Sequence, residues 1–202
     1  MQKNYLRAFL ATFVFVLGFS FSGFAQTAPS AFPNVNIRNF GQMDERLYRG
    51  AQPLPEDYQS LKDLGVTHVV DLRNDPTDYE KTEVEKLGMK YINISMSGWK
   101  TPKDRQLEEF LQIMNDEATG KVFIHCKAGI HRTGVAGAVY RFTKYGWDYD
   151  KAYREMKNYN FSSGLVHGSL KSYVKDYYAE KMVKAQQEAK LIEKGKAVQG
   201  AQ

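Results

Sequence analysis

Cysteine is nearly missing from this chain: one residue, Cys126, in 202. A lone cysteine closes no internal disulfide, so a cross-linked scaffold is excluded and stability must come from packing. Histidine is also scarce, with four residues scattered along the chain. None stands at ligand spacing from a carboxylate, so no metal site is expected. No cofactor is expected either. Neither sign of charge dominates: 28 Lys and Arg face 23 Asp and Glu, for a net +5. No basic stripe with interleaved aromatics appears, which argues against nucleic acid as a partner. There is no internal repeat.

The N-terminus does carry a long apolar run. Lys3 and Arg7 precede a stretch from Ala8 to Phe24 that is almost wholly apolar or small, and Gly23-Phe24-Ala25 is a small-x-small site. Residues 1–25 therefore read as a signal peptide cut before Gln26, implying export to a periplasmic or extracellular space. The alternative is an uncleaved N-terminal membrane anchor. Gly18, Gly23 and the serines weaken the run as a permanent span. No Cys follows it, so a lipid-modified cysteine is excluded. Residues 26–38, with Ser, Pro and Asn, read as a linker.

The rest is long enough for one domain with its own core. Short strands are expected at Leu47–Arg49, Thr67–Leu72, Lys90–Ile94 and Lys121–His125. Helices are expected at Pro55–Leu64, Thr77–Leu87, Pro102–Asn115, Arg132–Tyr145, Tyr149–Tyr159 and Ser169–Lys184. Gly65 and Gly88 are helix stops, and Leu107, Phe110, Leu111 and Met114 make one apolar face. Strands alternating with helices early, and helices dominating late, predict an α/β fold with a central sheet covered on both faces. The domain should occupy residues 39–180. Residues 181–202 read as a polar tail, either frayed helix or disordered.

Cys126 is the centre of the chemistry. It ends an apolar strand, Val122-Phe123-Ile124, and opens His125-Cys126-Lys127-Ala128-Gly129-Ile130-His131-Arg132-Thr133-Gly134. A helix-like run follows. A loop that opens a helix aims backbone N–H groups inward, and the helix N-terminus adds partial positive charge. The amides of Lys127, Ala128, Gly129, Ile130, His131 and Arg132 would cradle a phosphate. Gly129 and Gly134 let the backbone bend. Arg132 can grip two oxygens with its planar fork. The same field should lower the Cys126 pKa, and Thr133 can donate its hydroxyl to the sulfur. Cys126 would then attack phosphorus and form a phosphocysteine. The bland alternative, a small buried hydrophobe, leaves the adjacent Gly, Arg, Thr and Gly unexplained.

His-Cys-x5-Arg-Thr-Gly resembles the signature of cysteine-dependent protein tyrosine and dual-specificity phosphatases. The segments Arg46-Leu47-Tyr48-Arg49-Gly50-Ala51-Gln52-Pro53 and Val69-Val70-Asp71-Leu72-Arg73 are similar to early strands of the bacterial atypical branch. That branch also occurs fused to NAD kinases. Gly146-Trp147 and Ala152-Tyr153-Arg154-Glu155-Met156 fit its later helices. The likeness covers roughly residues 39 to 178, and the chain is too short to hold the kinase as well. It implies a mainly parallel sheet of four or five strands. It also implies an exported phosphatase acting on phosphorylated protein, inositol phosphates or small phosphoesters.

Relatives of this kind usually take a general acid Asp from the loop after the strand placed at Lys90–Ile94. Here that loop, Ser95 to Asp104, has no early Asp. Asp104 is the first choice for the acid, although an acidic residue in a first helical turn is often a dipole complement. Asp75, also readable as a turn former before Pro76, and His131, where the fused branch often has Asp, are its rivals. A poorly placed acid favours good leaving groups such as aryl phosphates. His125 is expected to hydrogen-bond the loop. Arg73 is either a support of the loop or a surface ion pair. Trp99 and Trp147 read as core or rim packing. Two other classes stay open: an inactive phosphatase fold that binds phosphorylated ligands, and a sulfurtransferase.

Overall fold

Residues 32–164 and 167–199 are described by a computed structural model. The leader reading of residues 1–25 falls outside them. Among the described residues, no helix is long and apolar enough to cross a membrane.

Five strands form one sheet: β1 (Gly41–Gln42), β2 (Leu47–Ala51), β3 (Val66–Arg73), β4 (Lys90–Met96) and β5 (Lys121–Cys126). Their spatial order is β1-β2-β5-β3-β4. Only β1 runs antiparallel to its neighbour; β2, β5, β3 and β4 pair in parallel. The mixed, mainly parallel sheet is the expected one. β5 lies at its centre, so the backbone leading to Cys126 is paired on both sides, with Ala51 opposite Cys126 and Asp71 opposite His125.

The helices are α1 (Tyr58–Asp63), entered through a 3-10 turn at Pro55–Asp57, then α2 (Glu80–Lys86), α3 (Asp104–Asn115), α4 (His131–Tyr145), α5 (Tyr149–Asn158) and α6 (Gly168–Gln199). Several helix ends shift from expectation: α1 starts at Tyr58 behind its 3-10 turn, and α2 at Glu80 rather than Thr77. α3 starts at Asp104, leaving Pro102 outside. α6 runs on to Gln199 rather than stopping near Lys184. The tail is built from Ala, Gln, Glu and Lys, which lose little freedom in a helix, so propensity extends α6 where no apolar face is needed. Leu191 and Ile192 there are exposed.

Side chains along a strand alternate between faces, and this divides the core in two. Val122, Ile124 and Cys126 of β5 share one cluster with Val70 and Leu72 of β3, Leu107, Phe110 and Met114 of α3, and Val135 and Val139 of α4. Phe123 turns the other way, joining Val69, Tyr58 and Leu61 of α1, and Val84 of α2. One layer of helices thus packs on each face. The carboxyl ends of β2, β3, β4 and β5 open on a common rim, where α/β sheets present ligands.

Phe110 anchors α3 and is fully buried away from that rim. Phe110→Ala should cost about 3–5 kcal/mol by emptying its site. Chemical denaturation of purified wild type and variant measures the difference.

Candidate active site

The rim holds a cleft of about 420 Å³ lined by Asn74, Asp75, Gly98, Trp99, Cys126, Lys127, Ala128, His131, Arg132 and His167. The topology explains the set: Asn74 and Asp75 follow β3, Gly98 and Trp99 follow β4, and Cys126 ends β5. Of the expected phosphate-binding residues, Lys127, Ala128, His131 and Arg132 line the cleft. Gly129 and Ile130 do not. Ile130 packs against the core. The Gly129 carbonyl accepts from Arg49 Nη2 at 2.5 Å and Asn39 Nδ2 at 2.8 Å, which pulls this part of the loop back onto the sheet. Gly129 has φ +67°, and a Cβ there would strike the Gly50 backbone; only glycine fits. Gly134 serves differently from expectation. It lies inside α4, where a Cβ would meet Phe161 and Met156 at ordinary contact distance, so it does not bend the loop.

Cys126 is buried, at 3% exposure. Burial alone pushes the thiol up. The Thr133 hydroxyl and amide, the Arg132 charge and the Ala128 amide outweigh it and hold the thiol below its ordinary value. Thr133 Oγ1 is buried without a well-aligned hydrogen bond, and its hydroxyl acts on the Cys126 sulfur to lower the thiol. α4 starts at His131 with no side chain capping its N-terminus, so its first amides remain available to an anion. Arg132 Nη1 donates to the Met96 carbonyl at 3.0 Å and Asn74 Oδ1 at 3.2 Å. Those bonds fix the guanidinium against the ends of β3 and β4. A second cation lies below: Arg49, fully buried, stacks over the Tyr159 ring at 3.9 Å. Burial pulls Arg49 down to about 10, still a cation at neutral pH, while Tyr159, Cys126 and Glu155 oppose the fall.

His125 departs from expectation. Its parity on β5 sends it to the face opposite Cys126, stacked on Phe123 with ring centroids 5.6 Å apart. There Nε2 lies 2.8 Å from Glu80 Oε1 and 3.9 Å from Asp71 Oδ1, with all three side chains fully buried. The contact with Glu80 is at ion-pair distance without the alignment of a hydrogen bond. So His125 does meet carboxylates, although none is near in sequence. Burial works against the imidazolium, but Glu80, Asp71 and Cys126 raise the His125 pKa. Burial likewise pushes Glu80 up, and His125, Gln52 and Tyr58 bring it below its ordinary value. Asp71 goes up, chiefly from burial, with Glu80 adding to it. Glu80 thus carries the negative charge that answers His125. Asp71, Glu80 and His125 are close enough to hold a metal ion. A protonated imidazole is no ligand, however, and the carboxylates already accept from Arg73 N, Tyr91 and Gln52. The cluster reads as an ion pair.

The cluster connects to the cleft. Gln52 donates to Glu80 at 2.9 Å and accepts from Arg73 Nη1 at 2.8 Å. Arg73 Nη2 donates in turn to Asp75 Oδ2 at 3.2 Å, and Asp75 Oδ1 lies 3.8 Å from Arg132 Nη1. Arg73 is buried and supports the rim. Glu80, Asp71, Gln52 and Arg49 had no role in the sequence reading. Arg49, Gln52 and Asp71 stood in the segments carrying the resemblance, whereas Glu80 gave no signal at all.

The first choice for the acid requires correction. Asp104 does not line the cleft: its Oδ1 accepts from Tyr173 at 2.8 Å, and it borders a separate hollow with Glu108, Thr143 and Tyr177. Starting α3 at Asp104 turned its side chain toward α6. Asp75 and His131 do line the cleft. The Arg73 hydrogen bond holds Asp75 below its ordinary value, with Arg132 helping. Burial and the neighbouring His167 push His131 down. Trp99 stands on the rim, 70% exposed, while Trp147 packs beneath Arg141 and Lys151.

Known proteins are similar to this chain. The dual specificity protein phosphatase TpbA of Pseudomonas aeruginosa is 28% identical over 129 residues, 64% of this chain and 56% of TpbA. The inositol diphosphatase DSP3 of Arabidopsis thaliana is 32% identical over 103 residues, 48% of this chain and 50% of that protein. The chain thus spans about half the length of these curated relatives. A crystal structure of P. aeruginosa TpbA with phosphotyrosine superposes with a TM-score of 0.61 at 26% identity, covering 73% of this chain and 90% of that one. The core catalytic domain of the S. cerevisiae phosphatase SIW14 shares the fold, with a TM-score of 0.63 at 20% identity, covering 76% and 94%. Residues 26–175 match the family described as the DSP-PTPase phosphatase fused to NAD+ kinase, and the chain belongs to that cysteine-dependent, dual-specificity-type family.

Proposed function

We propose that this protein hydrolyses phosphomonoesters through a phosphocysteine on Cys126. The observation that carries the reading is a buried sulfur whose thiolate form is favoured by Thr133, Arg132 and the loop amides. The sulfur attacks phosphorus, forming the S–P bond as the bond to the leaving oxygen breaks. Water then attacks phosphorus, the S–P bond breaks, and phosphate leaves with the thiolate restored. Arg132 and the amides at the start of α4 stabilise the charge on the equatorial oxygens.

The leaving oxygen needs a proton unless it is a stable anion by itself. Asp75, the carboxylate of the cleft, is held ionised by Arg73 and has no proton to give. His131 is the remaining candidate of the three, and burial with the neighbouring His167 lowers its pKa, so less of it carries the proton at neutral pH. Good leaving groups are therefore favoured: the phenolate of an aryl phosphate or a phosphate. The relatives' names support both, one structure being bound to phosphotyrosine and one relative being an inositol diphosphatase. The leader-like residues 1–25 support export as the setting.

Cys126→Ser should lower kcat on an aryl phosphate by a factor on the order of a thousand or more while vanadate still binds. Equal turnover in the serine form would remove Cys126 from its role. Glu80→Gln takes away the charge that keeps His125 cationic, so the thiol pKa should rise. The thiolate persists only above that pKa, so the acid limb of kcat/KM should move to higher pH. The pH profile of Cys126 alkylation, with a thermal melt to establish folding, checks this; an unmoved profile refutes it.

A further inference from the structure

One wall of the cleft is a pile of flat rings in which only His131 has a place in phosphoryl transfer to Cys126. His131 and His167 stack with centroids 3.5 Å apart at 9°. Trp99 covers the outer face of His167 at 5.8 Å and 17°, and Phe161 meets His131 edge-on at 5.3 Å. Trp99, His167 and His131 come from the loop after β4, the residue before α6 and the first turn of α4, yet all three line the cleft beside Cys126, Lys127 and Arg132. A volume of about 420 Å³ is that of a small-molecule site, larger than one phosphoryl group needs.

The pile has a defined electrostatic character. His131 Nε2 lies 3.1 Å from the Ser162 carbonyl. A carbonyl only accepts, so Nε2 carries the hydrogen and Nδ1 is where a second proton would go. Two imidazolium rings at 3.5 Å repel unless an anion sits against them. The charged groups around the pair are Arg132 on α4, Lys127 in the loop and Asp75 after β3. Asp75 is taken up by Arg73 and Arg132. Among the described residues lining the cleft, no free carboxylate faces the pair, so an anionic ligand is the group that would stabilise a proton on it.

We propose that His131 and His167 form a second anion subsite, which takes a further phosphate of a substrate whose scissile phosphate lies over Cys126, and which gains a proton as it does so. This rests on the reading of Cys126 as nucleophile and deepens it: the favoured substrates are small phosphoesters bearing two neighbouring phosphates. Trp99 shields the outer face of the pair and Lys127 faces the same ligand. His167 is a specificity residue.

Inorganic phosphate and inorganic pyrophosphate are the probes, as inhibitors of aryl phosphate hydrolysis between about pH 5.5 and 8. Wild type should bind pyrophosphate more tightly than phosphate by about tenfold at the acid end, an advantage shrinking as the pair loses its proton. His167→Ala and His167→Phe should both lose most of that advantage. The Phe form keeps a flat ring in the pile but cannot be protonated. Calorimetry in buffers of different ionisation enthalpy should find proton uptake with pyrophosphate in wild type and much less in either variant. An advantage retained by the Phe form, or lost only in the Ala form, would assign the wall to shape and overturn the proposal. So would pyrophosphate binding without proton uptake. Absent turnover with proton-linked pyrophosphate binding would refute the hydrolase reading and leave the subsite standing. Turnover without pyrophosphate preference would do the reverse.

Discussion

A sulfur anion at 3% exposure is deprived of water, and nothing in an apolar interior replaces that loss. Everything around Cys126 supplies the replacement. Thr133, the Ala128 amide and Arg132 face the sulfur directly. Arg49 lies beneath the loop, and His125 contributes from the far side of the sheet. Placing several cations around one sulfur is itself costly, so each is answered. Glu80 answers His125, the Gly129 carbonyl and Tyr159 ring answer Arg49, and Asp75 with the Met96 carbonyl answers Arg132.

The sheet makes this arrangement possible. Because β5 is central and parallel to both neighbours, the ends of four strands open on one side, and residues far apart in sequence meet there. The period of two along β5 separates the nucleophile from its buried imidazole by one residue while placing them on opposite faces. The relay through Gln52 and Arg73 then joins the two faces around the rim. In the cleft floor Arg132 and Asp75 are each tied to a strand end, through Met96 and Arg73, whereas Trp99 above it is exposed.

The loop was legible because its chemistry is contiguous: from Cys126 to Thr133, sequence order is spatial order. β3, β4 and β5 were legible because each carries β-branched residues between turn residues, whereas β2 has none and the two-residue β1 gave no signal. Partners distant in sequence were not legible. Glu80 looked like one more charge on an exposed helix, and only the fold brings it against His125. His167 sits 68 residues from Trp99, so no window in the sequence could pair them. Asp104 was misplaced for a related reason. Its position after β4 suggested the rim, but the side chain's direction is set by where α3 begins and by Tyr173 on α6. The tail reads in sequence as either frayed helix or disorder because it lacks an apolar face; propensity alone carries it as helix to Gln199.

The alternation at His125 and Cys126 has a bearing on how the chain finds its fold. A slip of β5 by one position would carry the thiol toward Glu80 and Asp71 and drive the imidazole into the aliphatic side of the sheet. Both exchanges strand ionisable groups without partners, and the penalty lands on the same two residues at once. The dipeptide at the mouth of the cleft thereby also pins the alignment of the central strand, and misaligned chains are disfavoured by the same two side chains that the native register satisfies.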